Sequence, residues 1–151
     1  MSSEQSSVHH SPFTIHHSQF LSLPMTHSTT FTLTQADFDA FARLSGDDNP
    51  IHVDPAFAAR TRFGRTVSHG MLLYSVLCGF LNQQFPGAVQ VSQSFTFRAP
   101  TYADEPSTLQ LTVLEHLPEN QVRLGVVMAR LDGTVTVEGE TVVMMLTNYI
   151  K

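Results

Sequence analysis

One run of residues sets the terms for the whole chain. Met71-Leu72-Leu73-Tyr74-Ser75-Val76-Leu77-Cys78-Gly79-Phe80-Leu81 is apolar nearly all round. A helix with that character has to be buried on most of its sides. It ends at Asn82-Gln83-Gln84, and Pro86-Gly87 follows. Beyond it the hydrophobic period changes to two, the repeat of a strand. Val89, Val91, Gln93, Phe95 and Phe97 form one face; Gln90, Ser92, Ser94, Thr96 and Arg98 form the other. Leu109, Leu111 and Val113 alternate with Gln110 and Thr112, and Val122, Leu124, Val126 and Met128 repeat the pattern. Val135 and Val137 open a last strand that reaches about Thr147. Asp132-Gly133 is a type I′ hairpin signal, and Pro118-Glu119-Asn120 makes another turn. One greasy helix followed by a long run of strands calls for an antiparallel sheet curled around that helix. The fold class is α+β with segregated elements, not alternating βαβ. No Gly-x-Gly-x-x-Gly or Walker loop is present, which argues against a doubly wound nucleotide-binding fold.

Ahead of the helix the signals are local. Residues 29–33 alternate and are β-branched, a strand. Thr34 and Asp37 have the spacing of a helix N-terminus, and Phe38, Phe41 and Ala42 line one face of the helix that follows. Ser45-Gly46 stops it. Residues 47–68 lack a long period, and loops of that length in a compact domain are usually functional. Asn49-Pro50 reads as a turn, and Asp54-Pro55 starts a short helix over residues 55–60.

With 151 residues the chain has room for one domain and a tail. Residues 1–28 are rich in Ser and His, with no Lys or Arg, and are expected to form a disordered leader ahead of a single domain over residues 29–151. A secretory signal needs a positive n-region and an apolar core, and a mitochondrial transit peptide needs Arg; both are missing, so a cytoplasmic location is expected. His9, His10, His16, His17 and His27 suggest a metal-binding arm or a polar leader, and the leader is preferred because no Cys or acidic partner fixes a geometry. The 8 basic residues against 13 acidic ones argue against a nucleic-acid partner. The single cysteine, Cys78, excludes an internal disulfide, and no apolar run is long enough to cross a membrane.

The chemistry concentrates in the long loop. Asp47 and His52 stand five residues apart with Asn49-Pro50 bending the chain between them. A carboxylate and an imidazole facing one point can share a water and pass its protons. The same residues also suit an Asx turn and a structural histidine, and spacing alone leaves both roles open. Gly70, at the start of the apolar helix, would leave a backbone N–H free to hold an oxygen that gains charge; it would equally allow a tight helix entry. His69 beside it is a ligand contact or, preferably, a packing residue.

Ser45-Gly46-Asp47-Asp48-Asn49-Pro50-Ile51-His52-Val53-Asp54-Pro55 resembles the hydratase motif of the MaoC-like, (R)-specific enoyl-CoA hydratases. His69-Gly70-Met71 is similar to that family's second block, and Gln93-Ser94-Phe95-Thr96-Phe97-Arg98-Ala99-Pro100 to the strand after its central helix. The resemblance implies a hotdog fold, a homodimer or larger assembly, and reversible hydration of trans-2-enoyl-CoA without metal or redox cofactor. It implies Asp47 and His52 as the catalytic pair, the Gly70 N–H as oxyanion donor and Asn49 as a brace for the loop. Asn49, His69, Met71 and Cys78 become candidate substrate-side residues. Cys78 stands where the family carries a small Ser, with a helix core residue as its preferred reading, and Tyr102-Ala103-Asp104-Glu105-Pro106 replaces a commoner Gly-Asp-Glu turn. Coenzyme A carries phosphates, which makes Arg60, Arg62, Arg65 and Arg98 candidate cations, each with plain solvated charge as the alternative. An acyl slot would run along Leu72, Tyr74, Val76 or Phe80, unless these are core. The rivals are a dehydratase on an acyl-carrier-protein thioester, a thioesterase and a non-catalytic acyl-binding hotdog subunit.

Overall fold

The computed structural model of the chain describes residues 25–146. The expectations for His9, His10, His16 and His17 lie outside these residues, and the last strand ends at Met144 rather than at about Thr147. Strand β1 (Thr26–Phe31) begins inside the stretch assigned to the leader, which is a correction at residues 26–28. The cause is tertiary: these residues pair antiparallel with β3 (Ser107–Leu117), and the His27 ring lies edge-on to Phe85, centroids 5.3 Å apart.

Helix α1 (Gln35–Ser45) starts as its sequence predicts. Asp37 N–H donates to Thr34 Oγ1 (3.2 Å) and Thr34 N–H to Asp37 Oδ2 (2.7 Å), a reciprocal capping box. The Thr34 N–H, and with it the Thr34 hydroxyl, donates to Asp37 Oδ2 and holds that carboxyl below its usual range. Gly46 closes the helix at φ 80°, and its N–H donates to Ala42 O. Asn49-Pro50 is more than a turn. Asn49 caps a short helix α2 (Pro50–Val53), accepting from Ile51 N–H, with Pro50 at its first position. Asp54 caps α3 (Pro55–Ala58), shorter than expected because Arg60 N–H turns back to Phe57 O.

Helix α4 (Gly70–Gln84) lies on a five-stranded antiparallel sheet of order β1-β3-β4-β5-β2, completed by β2 (Val89–Phe97), β4 (Gln121–Arg130) and β5 (Val135–Met144). Leu73, Leu77, Phe80 and Leu81 meet Leu109, Leu111, Leu124, Val126, Met128, Val137 and Val143 in one core. The inward set of β4 is the one its alternation predicts. The helix itself is less enclosed than its composition suggests. The sheet covers one side only, and Met71, Ser75, Gly79 and Asn82 are exposed.

Two further differences have local causes. A bulge between Gln90 and Ser92 breaks the alternation of β2. It leaves Val89 and Val91 exposed and turns Gln90 inward, where it accepts from the Tyr74 hydroxyl and donates to Thr141 Oγ1 (2.8 Å). The type I′ turn falls at Pro118–Gln121 rather than at Asp132-Gly133. Glu119 (φ 59°) and Asn120 (φ 57°) both have the positive φ that turn demands. The other hairpin uses a three-residue loop, in which only Gly133 is left-handed and Gly133 N–H donates to Arg130 O.

Candidate active site

The end of α1 delivers Asp47 and the first turn of α2 delivers His52. Asp47 Oδ1 accepts from Asn49 N–H (3.4 Å) and Asn49 Oδ1 from Ile51 N–H (3.2 Å), so both side chains close the loop on its own backbone. Gln35 clamps the region from α1: its Nε2 donates to His52 O (2.9 Å), and its Oε1 accepts from Thr66 (2.6 Å). His52 is 8% exposed, and its Nδ1 lies 2.7 Å from Val67 O. Val67 is held in turn by Val67 N–H to Ile51 O (3.1 Å) and by a bridge to Tyr102.

A carbonyl oxygen only accepts, so Nδ1 carries the hydrogen and a neutral His52 has its lone pair on Nε2. That nitrogen is 4.0 Å from Asp47 Oδ2, whose side chain is 55% exposed. Burial pushes the His52 imidazolium below its ordinary pKa. The Val67 carbonyl opposes this, the His69 ring adds to it, and Asp47 opposes it.

Gly70 is the first residue of α4, and among the described residues no acceptor takes its N–H. The Phe97 ring lies against it: a Cβ at position 70 would sit 2.7 Å from Phe97 Cζ. A cavity of about 660 Å³ is lined by His52, Arg62, Val67, Gly70, Leu73, Phe97 and Arg98, among others. Gly70 and His52 therefore border one space.

The structure thus brings His52 and Gly70 onto one wall, with Asp47 beside His52 but off the cavity's lining. Asn49 makes a cap bond to Ile51 and is not on that wall. Arg62 is on it, its guanidinium over the Phe63 ring at 4.9 Å. Arg98 is on it too, paired with Glu138. Arg65 is off it, paired with Glu105 and lying over Tyr102 at 4.0 Å; Arg60 is off it, over Phe57 at 5.9 Å. Three further candidate substrate residues also lie off this cavity. His69 is 1% exposed and does not line the cavity, because its ring is enclosed by His52, Phe38 and Phe41. Met71 is 59% exposed on the uncovered side of α4. Cys78 borders a separate pocket of about 170 Å³ with Gln90 and Val143, two turns along the helix. Of the expected acyl slot, Phe80 is core, whereas Leu73 lines the cavity. Gln35 and Val67 escaped sequence reading, the second because it acts through its carbonyl.

Asp47, His52 and His69 each place a possible metal donor within 4.8 Å of the others. The donor set does not suit an ion. The two rings are stacked, centroids 3.9 Å apart and 26° from parallel, so their in-plane lone pairs do not converge. His52 Nδ1 and His69 Nε2 are also engaged with Val67 O and Asp47 O. Among the described residues no helix is long and apolar enough to cross a membrane.

A sheet laid over one central helix, with a carboxylate–imidazole pair beside that helix's N-terminus, defines a hotdog-fold protein of the hydro-lyase class. The chain belongs to the MaoC-like domain family, whose model matches residues 19–142. It is 39% identical over 113 residues to the (R)-specific enoyl-CoA hydratase of Aeromonas caviae, covering 73% of this chain and 84% of that one. It is 36% identical over 112 residues to the 3-hydroxybutyryl-CoA dehydratase of Methylorubrum extorquens, covering 73% and 68%. The solved (R)-hydratase of A. caviae superposes with a TM-score of 0.78 at 35% identity, covering 85% of this chain and 99% of that structure.

Proposed function

We propose that this chain catalyses the reversible, (R)-specific hydration of trans-2-enoyl-CoA to (R)-3-hydroxyacyl-CoA. The observation that carries this reading is the 4.0 Å gap between His52 Nε2 and Asp47 Oδ2, beside the cavity that Gly70 also borders. Both groups are acceptors in their working states, and a water that donates one hydrogen to each suits the gap. His52 Nε2 takes a proton from that water as its oxygen adds to C3 of the enoyl thioester. The same pair returns a proton to C2, so one H and one OH add across the double bond. The Gly70 N–H, at the positive end of the α4 dipole, receives the thioester oxygen as it becomes enolate-like. The addition is redox-neutral, and the chain's own residues supply the acid–base chemistry, so the reading calls for no metal and no cofactor beyond the substrate's CoA.

Arg62, on the cavity wall without an acidic partner among the described residues, is the cation this reading gives to the CoA phosphates. The assembly proposed is a homodimer. A second copy would cover the exposed side of α4 at Met71 and Ser75, and the edge strand β2 at Val89 and Val91. A cytoplasmic setting goes with a thioester substrate carried in water.

The test follows loss of crotonyl-CoA absorbance, with chiral analysis of the product, for wild type, Asp47→Ala and His52→Ala. The expected result is the (R)-3-hydroxy product from wild type and loss of most of the rate in both folded variants. Silence of wild type on crotonyl-CoA and on longer, branched and carrier-bound enoyl thioesters would overturn the reading in favour of a non-catalytic acyl-binding subunit.

A further inference from the structure

His69 is buried and stands directly before Gly70, yet its position on the chain does not explain its identity. It occupies the N-cap of α4 and makes no side-chain cap bond there. Ser, Thr, Asp or Asn would serve that position better. Its Nδ1 is buried with no hydrogen-bond partner among the described residues, a cost that an apolar ring of the same size would avoid. The side chain is spent on other elements. Nε2 donates to the backbone oxygen of Asp47 (2.9 Å), and the ring stacks on that of His52 at 3.9 Å. Phe38 and Phe41 of α1 hold its remaining sides, with centroids at 6.4 Å and 5.0 Å.

We infer that His69 is the positioning residue of this site, acting on Asp47 through its backbone and on His52 through its ring. The inference rests on the hydratase reading above. One side chain thereby fixes the two ends of the 4.0 Å gap relative to each other, and its own backbone leads into the Gly70 N–H. A displacement of about 1 Å in such a constellation can cost on the order of 10²-fold in rate. The titratable groups facing the His52 ring are Asp47, from the end of α1, and His69.

Two variants separate the contacts. His69→Phe keeps a stacked ring and loses the donor to Asp47; His69→Gln keeps a donor and loses the stack. With crotonyl-CoA, the expected result is a kcat lowered about 10²-fold in His69→Phe, with KM changed far less, and partial rescue in His69→Gln. The acid limb of the rate profile moves to higher pH in both, because the imidazole at position 69 that lowers the His52 pKa is gone. The same upward movement is read without turnover from the His52 ring resonances by NMR titration. The NMR arm keeps failure of this inference distinct from failure of the hydratase reading, which would show as an inactive wild type. A folded His69→Phe or His69→Gln with wild-type kcat and an unmoved His52 titration overturns the inference. Should His69→Phe not fold, His69→Gln alone decides by the same criterion.

Discussion

The Nδ1 of His52 lies 2.7 Å from the carbonyl oxygen of Val67, and this bond decides which nitrogen of His52 faces Asp47. In the other tautomer Nε2–H would point at the carboxylate, and the lone pair, on Nδ1, would face the Val67 carbonyl oxygen instead of the site. Val67 is itself fixed by Ile51 and Tyr102, so the tautomer depends on three backbone segments.

His52 also sets a pH dependence of both rate and stability. Its pKa lies below 6.5, with burial as the largest cause. In the proposed role of base it stays neutral below the pH at which an exposed histidine would be protonated, and the acid limb of kcat/KM is expected below 6.5. For stability the sign follows from proton binding. The unfolded chain takes up the proton first as pH falls, so the folded state loses stability from about 6.5 down to the folded pKa and no further below it. Urea midpoints for wild type and His52→Gln, compared at about pH 7.5 and about pH 5, will show a smaller acid loss in the variant.

Asp47→Asn replaces the acceptor with an amide of the same shape. The side chain is half-exposed, and asparagine keeps an oxygen to accept from Asn49 N–H, so folding is expected to be unchanged. The expected loss is in kcat, about 10²- to 10⁴-fold, with a modest change in KM. Steady-state kinetics on crotonyl-CoA, beside a thermal melt, checks both parts.

Gly139→Ala will be severely destabilising. A Cβ at 139 would overlap the Ser94 carbonyl oxygen and approach the Phe95 Cα to 3.2 Å, both of them backbone on the paired strand β2. Neither can move without breaking the β2–β5 ladder. The expected cost is about 3 kcal/mol, read as a shift of the urea midpoint.

Gln90→Leu tests the polar cluster that the β2 bulge turns inward. Gln90 accepts from the Tyr74 hydroxyl and donates to Gln93 Oε1 (2.9 Å) and Thr141 Oγ1 (2.8 Å). Leucine fills the space and leaves these groups without their partner. The expected loss is about 1–3 kcal/mol, again by urea unfolding.

Much of the fold is legible one element at a time. Thr34 and Asp37 announce the start of α1, because the capping box is closed within four residues. The inward face of β4 can be counted off from Leu124 to Met128. What escaped depends on neighbours distant in sequence. The bulge at Gln90 arises where β2 meets β5, and the early start of β1 follows from its pairing with β3. The uncovered side of α4 carries Met71, Ser75 and Gly79, a stripe with a single hydroxyl in its first turns, so the pattern separates the two sides only weakly.

The site divides in the same way. By itself, the sequence determined which groups stand available: a carboxylate at 47, an imidazole at 52 and an unobstructed N–H at 70, on segments whose turns and caps are local. Only the tertiary structure decided how they are used. The Val67 carbonyl that sets the tautomer of His52 is a backbone group, chemically alike at every position, and nothing in the one-letter code distinguishes it. His69 reads as another member of a motif until its ring is found between His52 and α1. Side-chain chemistry is written residue by residue, whereas tautomer, orientation and burial are set by whichever atoms the fold places alongside.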